Sequence, residues 1–165
     1  MINITSKLPQ LGTTIFSVMS ALAKEHQAIN LSQGFPDFDC DPELIKLIHQ
    51  QMKDGNNQYA PMPGVLALRE IIAEKIDFLH QSAYHPETEI TITAGGTQAI
   101  FTALTAIIRP NDEAIIFEPA YDSYAPTVKA LGGLVKSYEM APPDFKIDWN
   151  YVKRLVSTNT KVIII

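Results

Sequence analysis

Four short runs rich in β-branched residues recur through the second half of the chain: ITITA (90–94), AIIFE (114–118), LVKSYE (134–139) and KVIII (161–165). Between them lie stretches with helical spacing that begin near Thr97, Tyr121 and Asp148. Antiparallel neighbours need only a tight turn, whereas parallel neighbours need a crossover long enough to hold a helix. The alternation therefore predicts an α/β fold, with a mainly parallel sheet covered on both faces. Ligands of such sheets lie beyond the carboxyl ends of the strands. The last run, KVIII, has the continuous apolar character of a buried central strand, and the sequence holds nothing after it to cover it. The chain is expected to be part of a longer one.

The first half reads as helices. Ile15, Phe16, Val18, Met19, Leu22 and Ala23 follow the potential caps Thr13 and Thr14 at helical spacing. Asp41 is placed to cap a second helix whose first residue is Pro42, and Gly55 stands just past its end. After the turn-rich loop GNNQYAPMPG, residues 66–79 carry a third. No internal repeat or low-complexity segment interrupts the pattern.

Composition narrows the partners. A 165-residue chain that is 46% hydrophobic and 19% charged has the make-up of a globular domain with a real core. Its formal net charge of −5 and its lack of Lys/Arg clusters exclude a nucleic-acid face. The longest apolar stretch, 99–108, falls far short of the roughly 20 residues that span a bilayer. The opening MINITSKLPQLG lacks the apolar centre of a secretion signal, so a cytoplasmic protein is expected. In that setting Asn3-Ile4-Thr5 and Asn30-Leu31-Ser32 match the glycosylation pattern by chance, and Cys40 has no partner for an internal disulfide. No metal site is expected. The four histidines lack ligand spacing, and Asp37, Asp39 and Asp41 begin a calcium-loop pattern that fails at Pro42 and Ile48.

Gly95 and Gly96 stand where the first strand gives way to a helix. Two readings fit such a pair: a plain turn, or a cradle in which first-turn N–H groups and the helix dipole hold a phosphate, with Thr97 and Gln98 adding side-chain donors. A dinucleotide fingerprint is absent, because G-G-T-Q-A lacks the G-x-G-x-x-G spacing and Glu118 is followed by Pro119. No nucleotide-triphosphate loop and no G-x-S-x-G elbow is present either.

Four stretches taken in order carry a resemblance: NLSQGFPDF (30–38), YAPMPG (59–64) followed by LRE (68–70), TAGGTQAI (93–100) and FEPAYDSY (117–124). Together they resemble the aminotransferase class I and II family, the fold type I enzymes that use pyridoxal 5'-phosphate, and within it the kynurenine, glutamine and methionine aminotransferase branch. The resemblance implies the amino-terminal part of a three-layer α/β/α transferase. Residues 1–30 would then form an arm and helix of the small domain, and 31–165 the first part of the large domain.

It also implies residue roles. Gly96, Thr97 and Gln98 would hold the cofactor phosphate, Tyr121 would stack on the pyridine ring, and Tyr59 would reach the partner's phosphate across a homodimer. Gly34 would offer its backbone N–H to the substrate carboxylate with Phe35 beside it, while Ile15 and Phe16 would line the side-chain pocket or simply form a helix face. Arg69 lies within a helix and reads as structural. The implied substrates are an amino acid and a 2-oxo acid. The Schiff-base lysine, the aspartate facing the ring nitrogen and the carboxylate-binding arginine belong to later motifs, and none of the lysines here matches theirs. The segment alone is therefore expected to be inactive. A related carbon–sulfur β-lyase and a non-catalytic ligand-binding module are the alternatives the resemblance leaves open.

Overall fold

The computed structural model describes residues 4–9, 11–34 and 36–165. The chain divides into two compact units, residues 19–93 and residues 1–18 with 94–165. Helix α1 (Ile15–Glu25) runs through the junction, and its first turn is fixed by Thr14 Oγ1, which accepts the Ser17 N–H at 3.3 Å.

In the 19–93 unit, α2 (Pro42–Lys53) begins as expected: the Asp41 carboxylate accepts the Glu43 N–H at 2.8 Å, and Pro42 occupies the first turn, where a missing N–H does no harm. Its apolar residues Leu44, Ile45, Leu47 and Ile48 are all exposed. Helix α3 (Leu66–His80) instead buries a charge. Arg69 is 6% exposed, and its guanidinium donates to the carbonyls of Gly64 (3.2 Å), Pro86 (2.7 Å) and Glu87 (3.2 Å). A five-donor planar group closes three backbone acceptors at once, which makes Arg69 a staple between α3 and the loops that flank it.

The run 90–94 carries no strand, contrary to expectation. A strand exists only through its ladder partners, and the Ile92 N–H donates to the Pro63 carbonyl at 3.0 Å instead. Gly64, at φ +96°, follows Pro63, and a Cβ there would overlap the Ile92 side chain. Among the described residues this β-like run lies against Pro63 and Gly64 and has no ladder partner.

The other unit contains α4 (Gly96–Ile107), β1 (Glu113–Glu118), α5 (Tyr124–Ala130), β2 (Leu134–Glu139), α6 (Trp149–Leu155) and β3 (Thr160–Ile164). The three strands pair in the order β2-β1-β3, both ladders parallel. Strand β1 is buried on both faces, as its unbroken apolar run predicts. Ala114 packs with Leu104, Ile108 and Val128 under α4 and α5, whereas Ile115 and Phe117 pack with Tyr138 and Val152 under α6. Alternation along one strand thus places helices on both sides of the sheet, the three-layer arrangement expected. Each fully buried apolar side chain contributes about 1.5–3 kcal/mol. Asp148 starts α6 by accepting the Asn150 and Tyr151 N–H groups at 2.9 and 3.1 Å. Its own N–H donates to the Tyr138 hydroxyl at 2.6 Å, tying β2 to that helix.

At the amino ends of the strands Glu113 gathers the sheet. Its Oε2 accepts from Lys136 Nζ at 2.7 Å, Ser157 Oγ at 2.5 Å and Thr160 Oγ1 at 3.1 Å, where the β1–β3 register shifts. The Lys136 and Ser157 hydrogen bonds hold the Glu113 carboxyl below its ordinary value of 4.5. Among the described residues, no helix is long and apolar enough to cross a membrane.

Candidate functional site: a helix N-terminus beside a strand end

The strand order locates the site before any side chain is considered. From β1 the chain crosses through α5 to β2 on one side, then returns through α6 to β3 on the other, so the direction of winding reverses at β1. At such a reversal the two crossover connections leave in opposite directions and open a crevice at the carboxyl ends of the strands. At the carboxyl end of β1 lies a cavity of about 300 Å³ lined by Ile116, Glu118, Pro119, Tyr121, Asp122 and Ala125, all from β1, its connection into α5 and the first turn of that helix.

Helix α4 delivers its N-terminus to the same level. It returns to β1 through the short connection 108–112, and Leu104 and Ile108 pack on Ala114 near the start of the strand. Twelve helical residues rise about 18 Å and six strand residues about 20 Å, so the Gly96 end of α4 stands level with the Glu118 end of β1.

The two glycines answer to different constraints. Gly95, the N-cap, has φ +98° and ψ 165°, a region essentially closed to other residues. Gly96 has no positive φ, and a Cβ built on it meets nothing within 4 Å. Nothing in the chain's own packing requires glycine at position 96. What the glycine leaves is open space over the first turn, where the N–H groups of Gly96, Thr97 and Gln98 have no intrahelical acceptors. The first turn contains no acidic side chain to compete for that partial positive charge. Open space beside unpaired first-turn N–H groups suits an anion.

Gln98 has a role that sequence reasoning did not assign: its Oε1 accepts the Ala94 N–H at 2.6 Å, bracing the turn into α4 from inside. A Gln three residues after an N-cap commonly reaches back to the N-cap N–H; here it reaches one residue further, to Ala94. On the other flank, the Glu118–Pro119 peptide is cis and residues 119–123 turn the chain, so α5 starts at Tyr124 rather than at Tyr121. Tyr121 is left half-exposed at the crevice, its ring 5.9 Å from that of Tyr124 at 63°. Edge contact with Tyr124 steadies the ring while leaving area for a planar ligand. Glu118 accepts the Ser137 hydroxyl at 2.8 Å.

The structure thus brings Gly96, Thr97, Gln98 and Tyr121 to one end of one sheet. The remaining candidates lie elsewhere in the chain. At the start of α1, Ile15 is exposed and Phe16 partly buried. In the 19–93 unit, Tyr59 is fully exposed in its loop, and Gly34 is exposed with nothing within 4 Å of a built Cβ. Phe35 lies outside the described residues. Among the described residues, no group of three or more His, Cys, Asp or Glu side chains could hold a metal.

Comparison with known proteins supplies the context. The family described as aminotransferase class I and II matches residues 26–165. Methionine aminotransferase of Escherichia coli is 52% identical over 160 residues, which are 97% of this chain and 42% of that protein. A probable N-succinyldiaminopimelate aminotransferase of Mycobacterium tuberculosis is 38% identical over 97% of this chain and 41% of its own length. Among solved structures, YbdL of Escherichia coli, whose reactivity identifies a methionine aminotransferase function, superposes with a TM-score of 0.94 at 50% identity, over 99% of this chain and 43% of that one. Thermus thermophilus aspartate aminotransferase superposes at 0.88 and 30% identity, over 100% of this chain and 44% of that one. The chain therefore spans less than half the length of the relatives it matches, and it belongs to the aminotransferase class I and II family of pyridoxal 5'-phosphate-dependent enzymes.

Proposed function

We propose that the protein to which these residues belong transfers an amino group between an amino acid, methionine or an aromatic or similar one, and a 2-oxo acid. The observation that carries this reading is the open first turn of α4, where Gly96 leaves room that the chain's own packing does not need. Gly96, Thr97 and Gln98 bind the cofactor phosphate through first-turn N–H groups, each charge-assisted hydrogen bond contributing about 1.5–3 kcal/mol. Tyr121 holds the ring flat from the turn after β1, which the Tyr124 N–H closes on the Tyr121 carbonyl at 3.2 Å. Bound there, pyridoxal phosphate supplies the electron-withdrawing ring that makes α-proton removal feasible.

The rest of the assignment follows the family. Gly34 offers its backbone N–H to the substrate carboxylate with Phe35 beside it in sequence, Ile15 and Phe16 meet the substrate's side chain, and Tyr59 serves the phosphate of a second subunit in a homodimer. In the whole protein, residues 1–30 go with the small domain and 31–165 with the large one, and the protein works in the cytoplasm. The proton-transferring lysine is not among the residues assigned here.

The test uses the full-length protein incubated with cofactor, methionine or an aromatic amino acid, and a 2-oxo acid. Equal amounts of new amino acid and new 2-oxo acid, dependent on the acceptor, are expected. Cofactor binding without acceptor-dependent product would refute the reading, and release of pyruvate and ammonia from a cysteine conjugate would put a β-lyase in its place.

A further inference from the structure

One side chain holds the segment that carries Gly34. Asn30 Oδ1 accepts both the N–H of Ser32 at 3.1 Å and its hydroxyl at 2.6 Å, while Nδ2 donates to Ser20 Oγ on α1 at 3.0 Å. Among the described residues from 29 to 40, every hydrogen bond runs through this amide. Among the described residues Ile29, Leu31 and Phe38 find no apolar cover, at 85%, 90% and 78% exposed. Gly34 itself has open space where a Cβ would stand. A loop without ladder bonds takes its direction from such tethers. A primary amide suits the task, since one planar group offers an acceptor to the loop and a donor to the helix.

We propose that Asn30 is a positioning residue: by fastening residues 31–34 to Ser20 of α1 it sets the direction of the Gly34 N–H, and with it the affinity for the substrate's α-carboxylate. The inference rests on the role given to Gly34 above. An N–H aimed in advance spares the substrate the ordering of the loop, whereas a wandering one charges that entropy to binding. With its amide engaged by Ser20 and Ser32, Asn30 acts through the loop, so its effect falls on carboxylate recognition and leaves the chemistry to others.

The experiment compares Asn30→Ala, Asn30→Asp and Ser20→Ala in the full-length holoenzyme. Steady-state kinetics gives KM and kcat. Calorimetry gives the affinity for an unreactive carboxylate that bears the donor's side chain but no amine. In Asn30→Ala, KM and the carboxylate dissociation constant are expected to rise together about tenfold, equivalent to about 1.4 kcal/mol, with kcat and cofactor affinity within about twofold. Asn30→Asp restores most of the affinity, because its oxygens still accept from Ser32 and the Ser20 hydroxyl turns to donate. Ser20→Ala, which removes only the helix end of the tether, gives an intermediate rise and carries the test if Asn30→Ala does not fold. Unchanged carboxylate affinity in either variant overturns the proposal, as does an equal loss of cofactor affinity, the mark of general loosening. A wild-type protein that binds no carboxylate overturns the reading of Gly34 and this inference with it, a result distinct from wild-type binding that Asn30 does not affect.

Discussion

Replacing each of the two glycines at the start of α4 with alanine separates folding from ligand binding. Gly95→Ala forces an L side chain into φ +98°, ψ 165°, with no neighbour within 4 Å to blame for the cost. That backbone region carries a penalty of about 1–3 kcal/mol, so Gly95→Ala destabilises the cofactor-free protein by that amount. Gly96→Ala meets neither obstacle. Alanine is the best helix former and narrows the unfolded ensemble, so the cofactor-free protein is unchanged or gains about 0.4–1 kcal/mol. Its methyl group nevertheless fills the space over the first turn. Losing one charge-assisted phosphate hydrogen bond, about 1.5–3 kcal/mol, weakens cofactor binding about 10- to 100-fold. Urea unfolding without cofactor, paired with equilibrium dialysis against pyridoxal phosphate, reads both quantities. The reasoning is refuted if Gly96→Ala loses as much stability as Gly95→Ala, or if it binds the cofactor with wild-type affinity.

Other perturbations report on separate parts of the structure. Tyr121→Ala leaves unfolding nearly unchanged, because the ring is half-exposed, yet weakens cofactor binding about twofold to tenfold by the same dialysis, the measure of a lost stacking contact. Arg69→Met strands three carbonyls around a residue only 6% exposed and lowers stability by about 3 kcal/mol or more in urea. Glu113 binds its proton less readily folded than unfolded, so its stabilising effect is present above the ordinary value of 4.5 and is lost as pH falls through the lower, folded value. Unfolding curves of wild type and Glu113→Gln are therefore expected to differ near neutrality and converge in acid; a constant difference across the range refutes the carboxylate's role.

The parts of this chain that were legible in its sequence are those whose partners lie close along it. Asp41 and Pro42 start α2, Asp148 starts α6, and AIIFE becomes the strand buried on both faces, because caps and unbroken apolar runs act locally. ITITA has the same local character and forms no strand among the described residues, since a ladder is a property of two segments and no described segment pairs with it. The site divides in the same way. A glycine pair before a helix left a plain turn and an anion cradle both open, and only backbone geometry separates Gly95, which the turn requires, from Gly96, which it does not. Asn30 shows that one spacing serves two chemistries. The triplet Asn30-Leu31-Ser32 has the form of a glycosylation acceptor, and the same two-residue step lets an asparagine carbonyl bond the amide of residue i+2. With Ser20 ten residues back as the third member, the motif becomes a clamp only once α1 has folded, so a local pattern acquires its function from a partner the pattern itself does not contain.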